Sequence, residues 1–101
     1  MAKMTKDAAS RLVARVPETN SFWCHDGSVY RNLDELKTGL ARMSDETFAF
    51  HVTPEKNDFS AWVQTSIGDS KLANDLDEAA SRRLALKRVE ERLVFLKDRL
   101  V

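Results

Sequence analysis

Apolar positions recur at helical spacing in several separate stretches of the chain, each bounded by residues that start or stop helices. Ala8, Ala9, Leu12, Val13 and Val16 form a narrow stripe at i, i+3, i+4 spacing over residues 3–16, with Lys3, Lys6, Arg11 and Arg15 on the other side. Two of those five are alanines, so the helix expected within residues 1–20 docks loosely or frays, and Pro17 ends it. Leu33, Leu36, Leu40 and Met43 make a second face, opened by Asn32 as N-cap with Glu35 as its third-position partner. Gly39 lies inside that helix at a cost of about 1 kcal/mol of propensity and marks a close crossing. Ser44 caps a short third helix bearing Phe48, Phe50, His51 and Val52, which Thr53-Pro54 interrupts. Asn57-Asp58 opens a fourth, with Phe59, Trp62, Val63 and Ile67 on one face and Gly68 as its left-handed end. Asp69 caps a fifth, with Leu72, Ala73 and Leu76 inward. After Ser81 the pattern is cleanest: Leu86, Val89, Leu93, Leu96 and Leu100 alternate three and four apart. Residues 82–101 therefore predict an amphipathic helix about 30 Å long.

Between the first two helices the period changes. Phe22-Trp23-Cys24 and Val29-Tyr30 are strand-favouring runs on either side of His25-Asp26-Gly27-Ser28. Asp-Gly there predicts a hairpin with a type I′ turn, whose two central positions both need positive φ. The whole predicts a mainly α protein at the margin of α+β. It is one domain over residues 1–101: a compact bundle of five to six helices with one two-stranded β-hairpin near residues 22–30.

Composition narrows the function classes. The 101 residues are 43% hydrophobic and 32% charged, with 16 basic and 16 acidic side chains. That is enough apolar content for one core, and the zero formal charge speaks against general nucleic-acid binding. A single cysteine, Cys24, has no internal partner and fits a reduced, cytoplasmic setting. No apolar run approaches a membrane span, and the first sixteen residues are too polar for a signal peptide.

The order Asp26-Gly27, then LDELKTGLARMSDETFAFHV, then EKNDFSAWV, then GDSKLA resembles a small archaeal and bacterial domain family of unknown function. The resemblance runs from about Phe22 to Leu76. Its pattern falls on Asp26, Gly27, Leu33, Glu35, Leu36, Met43, Ser44, Asp45, Phe48 and His51. Beyond the third helix it falls on Asn57, Asp58, Phe59, Trp62, Gly68, Asp69, Leu72 and Ala73. The resemblance implies a compact single domain and no particular reaction, cofactor or catalytic residue.

The most enzyme-like group is His51, Asn57 and Asp58, beside Trp62. An imidazole near a carboxylate is the arrangement of an oriented general base. Ser44, Ser60 and Cys24 are the nearby nucleophiles, and none sits in a nucleophile motif. The plainer reading, which we favour, makes these residues helix caps and packing partners. Cys24, His25 and Asp26 fall short of a zinc ligand set, so no metal or cofactor is expected. Three dispersed glycines offer no phosphate loop.

On the last helix, Arg82, Arg83, Lys87, Arg88 and Arg92 could face nucleic acid, although a solvated helix face is the commoner meaning of such a run. Two heptads with like charges at facing positions do not argue for a coiled coil, leaving a monomer or weak homodimer. Val94 and Phe95 lie off the seam and, with Arg88 and Arg92, suggest a patch for a partner protein. Three functions follow in order: a non-enzymatic protein-interaction module, a small-ligand or weakly catalytic site at His51, Asn57, Asp58 and Trp62, and nucleic-acid binding through the basic helix.

Overall fold

A computed structural model describes residues 3–101 of the chain; the first two positions of the 1–20 segment lie outside the described residues. The described residues form six helices and one hairpin: α1 (Lys6–Val13), β1 (Phe22–Trp23), β2 (Val29–Tyr30), α2 (Leu33–Arg42), α3 (Asp45–His51), α4 (Asp58–Trp62), α5 (Ser70–Asp77) and α6 (Arg82–Asp98). A single 3₁₀ turn at Glu18–Asn20 precedes the hairpin. The mainly helical bundle with one two-stranded ribbon is the architecture that the apolar spacing predicts.

Side-chain caps start every one of these helices. The oxygens of Thr5, Asn32, Ser44, Asn57, Asp69 and Ser81 each accept a backbone N–H three residues on, which satisfies donors that the helix itself leaves orphaned. The Glu35 carboxylate does not close the expected capping box on Asn32; it accepts the N–H of Arg31, one residue earlier, at 2.7 Å.

Four sequence expectations need correction. α1 is shorter than residues 3–16, because the chain turns extended at Ala14. There Val16 donates to the Arg31 carbonyl at 2.8 Å and accepts from the Arg31 guanidinium, so tertiary pairing and the following proline override its helical spacing.

The hairpin turn is not type I′. Only Gly27, at φ +92°, has positive φ there. The Gly27 N–H closes a turn on the Cys24 carbonyl, and Cys24 then pairs with Ser28. This is the three-residue loop ending in a left-handed glycine.

The fourth helix does reach Ile67 and end at a left-handed Gly68 (φ +87°), as its spacing predicts, but beyond Trp62 it winds as one wide π-helical turn, Val63–Ile67, rather than as α-helix. Finally, the buried line of α6 is Ala85, Val89, Leu93 and Leu96, with Leu86 only half-buried. A straight helix of 3.6 residues per turn drifts off a strict heptad, and Ala85 falls inward in its place.

The core lies between α2, α4, α5 and α6, with α2 and α6 in the broadest contact. Leu33, Leu36, Leu40, Phe59, Val63, Leu72, Leu76, Val89 and Leu96 are fully enclosed, each contributing about 1.5–3 kcal/mol by leaving water. Gly39 is explained by a ring. A Cβ built there would fall inside the phenol ring of Tyr30, which packs directly on the helix at that point.

Candidate functional site

The segment from α3 to α4 brings His51 and Asp58 together and closes them off. His51, 4% exposed, sits among Phe22, Phe50 and Phe59 with ring centroids 5.1–5.2 Å away. Its Nδ1 lies 3.0 Å from Asp58 Oδ2. Its Nε2 accepts the backbone N–H of His25 at 3.0 Å. With Nε2 used as an acceptor, the ring proton belongs on Nδ1, donated to Asp58. The pair has the distance of an oriented general base, yet the nitrogen that would take a substrate proton already holds the hairpin turn.

Asp58 also accepts from Lys56 Nζ at 2.9 Å. Burial opposes ionisation of its carboxyl, but the hydrogen bonds from Lys56 and His51 and the Lys56 charge prevail, holding it below the ordinary value.

Asn57 and Trp62 are tied to backbone as well. Asn57 caps α4 through Oδ1 and donates Nδ2–H to the Leu76 carbonyl at 3.0 Å, joining the start of α4 to the end of α5. Trp62 donates its indole N–H to the Asn20 carbonyl at 2.7 Å. Of the three nucleophile candidates, Ser60 donates to the Ala73 carbonyl at 2.8 Å, Ser44 caps α3, and Cys24 is buried. Among the described residues, no group of three metal-ligating side chains is assembled.

On α6 the predicted patch divides. Arg92 binds Asp69 with two hydrogen bonds, 2.7 and 3.0 Å. The Asp69 side chain is 1% exposed and also caps α5 through the Leu72 N–H. Arg82 reaches Asp45 at 2.8 Å and the Leu40 carbonyl at 2.9 Å, satisfying the end of α2. These two of the five basic residues considered for nucleic acid therefore serve the fold; Arg83 and Lys87 point to solvent, and Arg88 pairs with Glu91. The guanidinium groups of Arg92 and Arg99 both lie over the Phe95 ring, 5.0 and 3.9 Å from its centroid. Val94 stands outside, 72% exposed.

Two concave surfaces among the described residues bear on function, and neither is lined by His51, Asn57, Asp58 or Trp62. A groove of about 810 Å³ runs between α1, α5 and α6, with Met4, Ala8, Leu84 and Phe95 as its apolar lining and Arg88 and Glu91 among its charges. Arg92 also borders it. A smaller cleft of about 330 Å³ separates the hairpin from α2, lined by Asp26, Val29, Tyr30 and Arg42 among others.

A further surface is formed by the outer side of the hairpin. Phe22 and Tyr30 pair across the ribbon and face the core, stacked at 5.8 Å, while their neighbours Trp23 and Val29 pair on the outer side. Trp23 is 70% exposed and Phe50 half exposed; Phe50 stacks on His25 at 3.8 Å. Phe50, on the helix that Ser44 caps, is therefore not part of the core. Period-two alternation from Phe22 carried the signal that Trp23 points outward.

No helix among the described residues is long and apolar enough to cross a membrane. No curated protein and no solved structure matches the chain. Residues 17–96 do match a family model, the Family of unknown function (DUF5752), and the chain belongs to that family.

Proposed function

We propose that this chain is a non-enzymatic protein-interaction module, cytoplasmic and of archaeal or bacterial origin, that seats an apolar helix of a partner in the groove between α1, α5 and α6. The groove itself carries the reading. Its length along α6 and its lining by Met4, Ala8, Leu84 and Phe95 suit the helix-in-groove mode, in which anchors three and four residues apart fill a channel between helices. Arg88 and Glu91, paired with each other at 2.8 Å, supply both signs at the rim, where charge sets orientation more than affinity. α1 forms one wall, and Ala9 is its only buried helical residue, so that wall can shift to admit a ligand at small cost.

The test uses Ala8, which lines the groove without being fully buried. Affinity capture with the parent chain and with Ala8→Glu, each checked for an unchanged melt, is compared protein by protein. Helical partners retained by the parent and lost from the variant support the reading. Identical retention by both, or retention by neither, removes it.

A further inference from the structure

We propose that the outer face of the hairpin, with the ring pair beside it, binds an arginine-bearing segment of a partner protein, independently of the groove. Four observations carry this. Trp23, 70% exposed, and Val29, 38% exposed, lie side by side across the ribbon, an apolar surface that no other element among the described residues covers. Two positions beyond Trp23, the His25 ring stacks on the half-exposed Phe50 at 3.8 Å with 12° between planes. This edge is rigid rather than floppy: the backbone N–H of His25 is fixed by His51 Nε2, His51 by Asp58, and Asp58 by Lys56. The buried imidazole thus acts as a positioning residue for an exposed aromatic surface. Lastly, one of these rings already holds a cation, since Lys56 Nζ lies over Phe50 at 5.4 Å from its centroid.

The charges around the rings select the sign of the ligand. Asp26 adjoins His25, Glu46 lies one turn before Phe50 on α3, and Glu55 precedes Lys56; all three are exposed, and among the described residues none takes part in an ion pair. The Asp26 carboxyl is held below its ordinary value, first by the Ser28 N–H, so it stays ionised. Lys56 is committed to Asp58, and Arg31 to the Val16 carbonyl. Arg42, which shares the neighbouring cleft with Asp26, works against an incoming cation. A guanidinium fits this combination best, because it stacks on indole while its N–H groups pair with a carboxylate. Phosphate backbones would meet the acids first and be repelled.

The experiment is an NMR titration of the full chain with three probes: a short glycine-arginine peptide, its glycine-citrulline counterpart, and single-stranded DNA of similar length. The arginine peptide is expected to shift the Trp23 indole N–H and the His25 and Phe50 ring signals, and to leave the buried Trp62 indole unmoved. Asp26→Asn, which keeps the side-chain bond to Ser28, should weaken binding about fivefold, and Arg42→Ala should tighten it by a similar factor. Both variants sit at exposed positions and should melt with the parent. An equal response to citrulline, a preference for DNA, an unchanged affinity in Asp26→Asn, or no shift at Trp23 at millimolar peptide would each overturn the proposal.

Discussion

The interior around His51 and the outward side of α6 differ in how their polar groups are used. Around His51 every functional-looking group has a partner inside the fold: imidazole to a backbone N–H and to Asp58, Asn57 to the Leu76 carbonyl, Trp62 to the Asn20 carbonyl. Along α6, Arg82 and Arg92 are equally committed, whereas Val94 and the groove-lining Phe95 keep apolar surface in water. Residue types that suggest chemistry are thus spent on architecture here, and the surfaces left open are made of ordinary apolar side chains. A buried polar group must be satisfied wherever it sits, so chemical character alone does not distinguish a site from a brace.

The sharpest way to break this contrast is to remove Arg92. If it were a surface contact, Arg92→Ala would leave stability untouched. As the partner of a buried carboxylate it should cost about 3–5 kcal/mol in urea denaturation. His51→Ala comes next. It strands the His25 N–H and opens space among three phenylalanine rings, for an expected loss of about 2–4 kcal/mol. A ligand site at His51 would instead lose binding while the melt stayed put.

Acid gives a smaller effect. The Asp58 carboxyl titrates below its ordinary 3.8 in the folded chain, so its contribution is present above that pH and lost as pH falls through the folded value. Asp58→Asn should therefore flatten the acid limb of stability against pH. The change should be shallow, because the side chain is 34% exposed and partly screened. Val94→Ala should sit at the bottom of the scale, within about 0.5 kcal/mol of the parent by thermal melting.

The sequence makes the helix boundaries legible where a cap and an apolar stripe coincide. Asn32, Ser44, Asn57, Asp69 and Ser81 can all be read as starts, because a short polar side chain before such a stripe has one common use. Val16 is misleading for the opposite reason: its spacing is helical, but its backbone pairs with Arg31, about 50 Å of chain away if extended. The π turn after Trp62 leaves no trace in side-chain periodicity, since Val63 and Ile67 are buried in either geometry. The Asp69–Arg92 pair is illegible because nothing local links residues 23 positions apart. The functional reading of His51 hinges on one atom, Nε2, whose neighbour comes from the hairpin 26 residues earlier.

Tyr30 has a practical consequence. It is the chain's only tyrosine, its ring is wedged on Gly39, and its buried hydroxyl has no hydrogen-bond partner among the described residues. Burial, followed by the neighbouring Cys24, drives its ionisation upward from 10.0. Tyrosinate absorbance should therefore be silent in mild alkali and emerge together with global opening, giving the molecule a built-in, label-free indicator of its own denaturation.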